Sequence, residues 1–312
     1  MKIKIYTIAL IALIFAACEK YEDFTNDYEY SNVYFAYQNP VRTVLTDDLS
    51  FKVGVVMGGK RANNVDEHVT FELAPELLSD PDIVGDNNFT MLPSNYYTIS
   101  SANDITIERG EIVGFVTVDL NRELFLSDSL CLDNNYALPF LIKETTLDSI
   151  LVGSEELSIP RKDYSIVVVK YQHKTHGVYY HRGNRTQYKA DGSTVDKVVS
   201  YIPAGHSIYE PDIAWKIQTY DANSLFTNGI AEFPEDGDDN NYSLKINHPE
   251  NDQISIEAGK NSVITGVTDL GSSYDSENKV YYLNYEYTIE NIKNVMNDTL
   301  SFRDDMLSLE LW

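Results

Sequence analysis

Short runs of β-branched and aromatic residues recur along the chain and are broken by clusters of Pro, Gly, Asn and Asp. From Asn32 these runs are NVYFAYQ, LSFKVGVVM, HVTFEL, YYTIS, ITIERGEIVGFVTVDL, YALPFLIKE and YSIVVVKY. Runs of this kind, bounded by turn residues, read as strands. In ITIERGEIVGFVTVDL, Ile105 and Ile107 alternate with polar neighbours, and Arg109-Gly110-Glu111 turns the chain. Val116 and Val118 share a face on the return, so a hairpin is expected there. About seven strands with little helical period between them predict a β-sandwich over residues 31–170. The one helix expected is short, around residues 75–78.

Residues 171–176, YQHKTH, carry no clear strand signal and mark a boundary. A second β unit, residues 171–312, then runs through HGVYYHRG, STVDKVVSYIP, IAWKIQTY, NGIAEFP, YSLKINH, DQISIEAG and SVITGVTDL. Its clearest strand is NKVYYLNYEYTIE. There Tyr281, Leu283, Tyr285, Tyr287 and Ile289 point one way, and Val280, Tyr282, Asn284, Glu286 and Thr288 the other. A last run, LSFRDDMLSLELW, follows. Consecutive short strands joined by tight turns predict an antiparallel up-and-down meander, closing into a barrel that can hold a ligand. The expected fold class is all-β throughout.

The first residues follow another pattern. Lys2 and Lys4 precede an apolar run over residues 8–15, and Ala16 and Ala17 stand directly before Cys18. This is the layout of a signal peptide, residues 1–17, and the apolar run is too short to span a bilayer as a permanent helix. FAAC resembles a bacterial lipobox, with Phe15 where the pattern prefers Leu. That resemblance implies cleavage before Cys18, lipid on its sulfur and new amino terminus, and an outer-membrane anchor. Residues 18–30 read as the lipidated cysteine and an acidic tether. Glu19, Glu22 and Asp23 resemble the signal by which Bacteroidetes lipoproteins reach the cell exterior.

Composition narrows the partners. The chain has 312 residues, long enough for two units, and 43% hydrophobic residues, enough to build real cores. A formal charge of -24 opposes nucleic acid and electrostatic docking on anionic headgroups. With Cys18 acylated, Cys131 has no cysteine to pair with; in LFLSDSLCL it reads as a small buried hydrophobe.

LPSNYYTIS, ITIERGEIVGFVTVDL and YALPFLIKETTLDSIL together resemble a family of Bacteroidetes cell-surface lipoproteins whose N-terminal domain is of unknown function or adhesin type. HGVYYHRG, SSYDSENKVYYLNYEY and DTLSFR resemble the companion domain of such proteins. The resemblance implies an immunoglobulin-like first domain, a calycin-like second domain and an accessory role beside outer-membrane glycan-uptake proteins. It transfers no binding residues.

Motifs with chemistry are few. Gly54-Val-Val-Met-Gly-Gly59-Lys60 has phosphate-loop spacing, but Arg61 replaces the Ser or Thr and no helix is expected after it, so a strand running into a glycine turn is the better reading. His173, His176 and His181 cluster, yet strand alternation separates His176 from His181, which favours histidines on a wet linker over a zinc site. Residues 232–243 gather Asp236, Asp238, Asp239 and Asn240 around Gly237. Calcium is the metal such oxygen ligands would take, against the simpler reading of a solvated acidic loop. No GxSxG, HExxH or CxxC is present, so no catalytic residue is assigned.

The remaining signal is aromatic: 23 Tyr, 12 Phe and 2 Trp. Sugar rings stack their apolar faces on aromatic rings while their hydroxyls pair with rim amides and carboxylates. Tyr209, Trp215, Tyr242, Tyr274 and Tyr282 are the candidates for such contacts, each weighed against plain core packing. The expectation is a non-catalytic lipoprotein that binds extracellular polysaccharide or oligosaccharide. Its rivals are an adhesin or protein-assembly module, and a glycoside hydrolase with unrecognised carboxylates.

Overall fold

The computed structural model describes residues 28–200, 214–227, 242–260 and 262–312. The first part of the chain forms β1 (Asn32–Phe35), β2 (Pro40–Leu45), β3 (Ser50–Gly58), β4 (Glu67–Leu73), β5 (Thr90–Met91), β6 (Tyr97–Ile99), β7 (Asp104–Ile107), β8 (Val113–Leu120), β9 (Tyr136–Thr145), β10 (Ser149–Ile150) and β11 (Tyr164–Gln172). The second part forms β12 (Gly177–Tyr188), β13 (Val195–Ser200), β14 (Ala214–Asp221), β15 (Ser224–Thr227), β16 (Leu244–Asn247), β17 (Ser255–Ala258), β18 (Thr265–Asp269), β19 (Ser273–Asp275), β20 (Val280–Ile289), β21 (Ile292–Asp304) and β22 (Glu310–Leu311). The fold is all-β, a sandwich followed by a nearly closed barrel.

The sandwich has one sheet in the order β10-β1-β3-β8-β6 and another in the order β22-β2-β11-β9-β4-β7. Alternation in β3 and β8 sends Phe51, Val53, Val55, Val116 and Val118 into the space between the sheets. β9 and β11 read instead as unbroken apolar runs because both their faces are covered. Leu138, Phe140, Val167 and Val169 face the sandwich core, while Ala137, Ile166 and Val168 face a second cluster with Leu77, Val84 and Phe89.

The expected hairpin at residues 105–118 is not one. β7 pairs with β4 in one sheet and β8 with β3 and β6 in the other, so the chain crosses from sheet to sheet. Ile105, Ile107, Val116 and Val118 meet across the core rather than along a ladder. Gly110 takes a φ of +91° in the turn between them. Helix is also more frequent than expected. Besides the 3₁₀ turn Pro75–Ser79, the chain forms Pro81–Val84, Ser94–Tyr96, Arg122–Ser127 and Ser129–Leu132. Asn121 caps the helix Arg122–Ser127, its side chain accepting from the N–H of Leu124 at 3.2 Å.

In the barrel, β12, β14, β15, β16 and β17 pair in turn, β18 pairs with β20, β20 with β21, and β21 returns antiparallel to β12. β17 lies against β18 without a ladder, which leaves closure incomplete. The alternation expected in β20 holds. Tyr281, Leu283, Tyr285 and Tyr287 are buried inward, and Tyr282 is exposed outward. β12 keeps Tyr179 inside, and Ile217, Leu225, Ile246 and Ile256 fill the rest.

Tyr171 and Gln172, read as boundary residues, still belong to β11, where they pair with Val44 and Leu45. The last residues return to the sandwich. β22 pairs with Pro40 and Val41, the Trp312 ring lies 4.7 Å from that of Phe89, and its Nε1 donates to the Ile166 carbonyl at 2.9 Å.

Candidate functional site

Of the two linker histidines, His173 is not wet and His176 is half-buried. His173 and His248 are both almost fully buried, with ring centroids 5.1 Å apart. His173 Nε2 donates to the His248 carbonyl at 3.1 Å, and its Nδ1 accepts the N–H of Thr175 at 3.2 Å. That pairing leaves the ring neutral, and burial, with His248 adding to it, pushes its pKa down to about 4. His248 Nε2 donates to Asp252 at 2.8 Å, and its Nδ1 accepts from the Tyr281 hydroxyl at 2.5 Å. Tyr281 in turn lies 2.6 Å from the Thr175 hydroxyl, and burial raises its pKa well above the phenolic range. Hydrogen bonds thus fasten the linker into one end of the barrel. His181 goes elsewhere: it points into the barrel, stacked on Trp215 at 4.1 Å, with Nε2 3.2 Å from Asp298. Among the described residues no group of three or more His, Cys, Asp or Glu side chains is placed to hold a metal ion.

The aromatic candidates do not converge. Trp215 is buried inside the barrel. Tyr274 packs between His248 and Tyr281, with centroids at 4.7 and 4.6 Å, and burial lifts its pKa to about 12. Tyr242 packs against the barrel core, and Tyr282 stands exposed on the outer face. Tyr209, the acidic residues Asp236, Asp238, Asp239 and Asn240, and Cys18 lie outside the described residues. Cys131 is fully buried, and burial, helped by Asp128, pushes its thiol up to about 12, so it is inert as a nucleophile.

The concavity that sequence reasoning missed lies between sandwich and barrel, with a volume of about 400 Å³. One wall is Thr43, Lys170, Tyr171 and Gln172 with Leu132 and Asp133; the other is β14 and β15, with Gln218, Tyr220 and Phe226 on their outward face and Thr219 beside them. Tyr220 is 46% exposed and stands perpendicular to Phe226 at 6.4 Å. His176, from the linker, completes the lining. Its Nδ1 accepts the N–H of Thr219 at 3.0 Å, which places the ring proton on Nε2. Gln172 is positioned by donating to the Asp305 carbonyl at 3.0 Å. Burial raises the Tyr171 phenol to about 12. Across the linker a second hollow of about 330 Å³ holds Arg122, which bonds the Thr46 carbonyl and pairs with Glu250, so its guanidinium bridges the two units. The larger cleft combines exposed aromatic surface with amides, hydroxyls and a carboxylate. Those are the groups that hold a polyhydroxylated ligand.

Residues 24–149 match a family model described as a "-like, N-terminal domain". No curated protein matches the chain. Among solved structures, the chain is similar to a protein of unknown function from Bacteroides ovatus, at 22% identity and a TM-score of 0.72, over 92% of this chain and 99% of that one. A second Bacteroides ovatus structure of unknown function aligns at 15% identity and a TM-score of 0.41, covering 91% of this chain and 100% of the other. An auxiliary nutrient binding protein from Bacteroides thetaiotaomicron aligns at 14% identity and a TM-score of 0.40, covering 81% and 82%. The first of these likenesses carries the fold: sandwich and barrel together recur in a Bacteroides protein.

Proposed function

We propose that this chain is a non-catalytic accessory protein that binds extracellular glycan in the cleft between its two units. In this reading Cys18 carries a lipid that holds the protein on the outer membrane, facing outward, beside glycan-uptake proteins. The observation that carries it is the cleft itself: Tyr220 and Phe226 on one side, Gln172, Gln218, Thr43 and Asp133 around them. Aromatic rings supply apolar area for a sugar face, and amide and hydroxyl groups both donate and accept, as sugar hydroxyls require. The signal layout before Cys18 and the acidic tether support the location.

Affinity electrophoresis of the whole chain in mild detergent, through gels containing host and dietary polysaccharides, tests the reading. Retardation by at least one polysaccharide, lost in Tyr220→Ala, supports it. Free migration through every gel overturns it.

A further inference from the structure

The cations around the cleft are engaged before any ligand enters. Lys170, the ammonium that lines it, is held 2.8 Å from Glu310 on β22. Lys245 stands over the Tyr220 ring at 5.1 Å. His176 is held uncharged near neutrality, because burial lowers its pKa and Thr219 occupies Nδ1. Carboxylates outnumber these cations. Asp133 lines the cleft, Glu310 holds Lys170, Asp221 follows Tyr220 in β14, and Asp305 is bonded through its carbonyl to Gln172.

An anionic group brought here would lose hydration without gaining a free cation, a poor exchange in a half-enclosed site. The formal charge of -24 adds long-range repulsion before contact. By contrast, the amide of Gln218, the carbonyl oxygen of Gln172 and the hydroxyl of Thr43 suit uncharged hydroxyls. We infer that the cleft selects neutral saccharides and rejects uronate- and sulfate-bearing polymers. This inference rests on the glycan-binding reading above.

The test uses the whole chain in detergent against galactomannan and a β-glucan on one side, and polygalacturonate and chondroitin sulfate on the other. The expected result is binding of a neutral polymer that changes less than about twofold between roughly 50 and 500 mM salt, since no charge pairing is involved. Acidic polymers should bind at least about tenfold more weakly. Glu310→Gln, which frees Lys170, should raise polygalacturonate binding about threefold. Acidic polymers bound as tightly as neutral ones, or a Glu310→Gln variant with no gain, overturn charge selection while leaving glycan binding in place. No binding of any polymer overturns the glycan reading and this inference with it.

Discussion

His173 donates its Nε2 proton to the carbonyl oxygen of His248, 3.1 Å away, and in doing so ties the linker to the barrel. The bond and the Thr175 contact at Nδ1 both suit a neutral ring. An unfolded chain protonates this imidazole near pH 6.5, whereas the folded chain resists until about pH 4. Between those limits the unfolded state binds more protons, so stability is fully present above about pH 6.5 and falls as the pH falls toward 4. The loss from His173 is at most about 3 kcal/mol, and the lowered values of His176 and His248 act with the same sign. Urea midpoints at several pH values measure this. His173→Gln, whose amide can still donate to the His248 carbonyl, should give a shallower acid decline.

Tyr281→Phe removes the hydroxyl that serves both Thr175 and His248. With those partners buried, the cost should be about 1–3 kcal/mol. A double cycle with Thr175→Val should show non-additivity, because the second change deletes a group already stranded. Strictly additive losses in urea denaturation would contradict the network.

Two glycines at the sheet-to-sheet crossing should respond differently to alanine. At Gly114 an added Cβ would lie 2.5 Å from the Thr106 carbonyl and 2.9 Å from Ile105, a clash within the core that should cost about 1–3 kcal/mol. At Gly110 a Cβ meets nothing within 4 Å, and the φ of +91° alone should cost about 1 kcal/mol. Thermal melts of the two variants should therefore rank Gly114→Ala as the less stable.

Trp312→Ala should lose about 2 kcal/mol, since the ring covers Phe89 and its Nε1 satisfies the Ile166 carbonyl. Trp312 fluorescence should shift to the red in the same denaturation step that unfolds the sandwich. A separate, earlier transition would show that the terminal strand is only loosely attached.

Periodicity made some of this structure readable. In β20 the alternation of Tyr281, Leu283, Tyr285 and Tyr287 named the inward face correctly, because one side of that strand meets the barrel core and the other meets solvent. At residues 105–118 the turn signal marked a reversal, but local residues do not choose pairing partners. Val69 opposite Ile105 and Phe51 opposite Val118 do so from distant segments. The helix at Arg122–Ser127 had a readable cap in Asn121, overshadowed by the apolar run that follows. The histidine network was unreadable because Thr175 and Tyr281 are 106 positions apart. The cleft escaped for a similar reason. Gln218, Tyr220 and Phe226 look like ordinary outward residues until Lys170 and Gln172 are folded opposite them.

The return of β22 to the sandwich means that, among the described residues, the backbone crosses between the two units twice, once through residues 173–176 and again through residues 305–309. A single strap lets two bodies swivel freely, whereas two straps restrict them to rocking about the line that joins the crossings. Tyr220 and Lys170, on opposite walls of the cleft, then keep their spacing when the two units are pulled against each other.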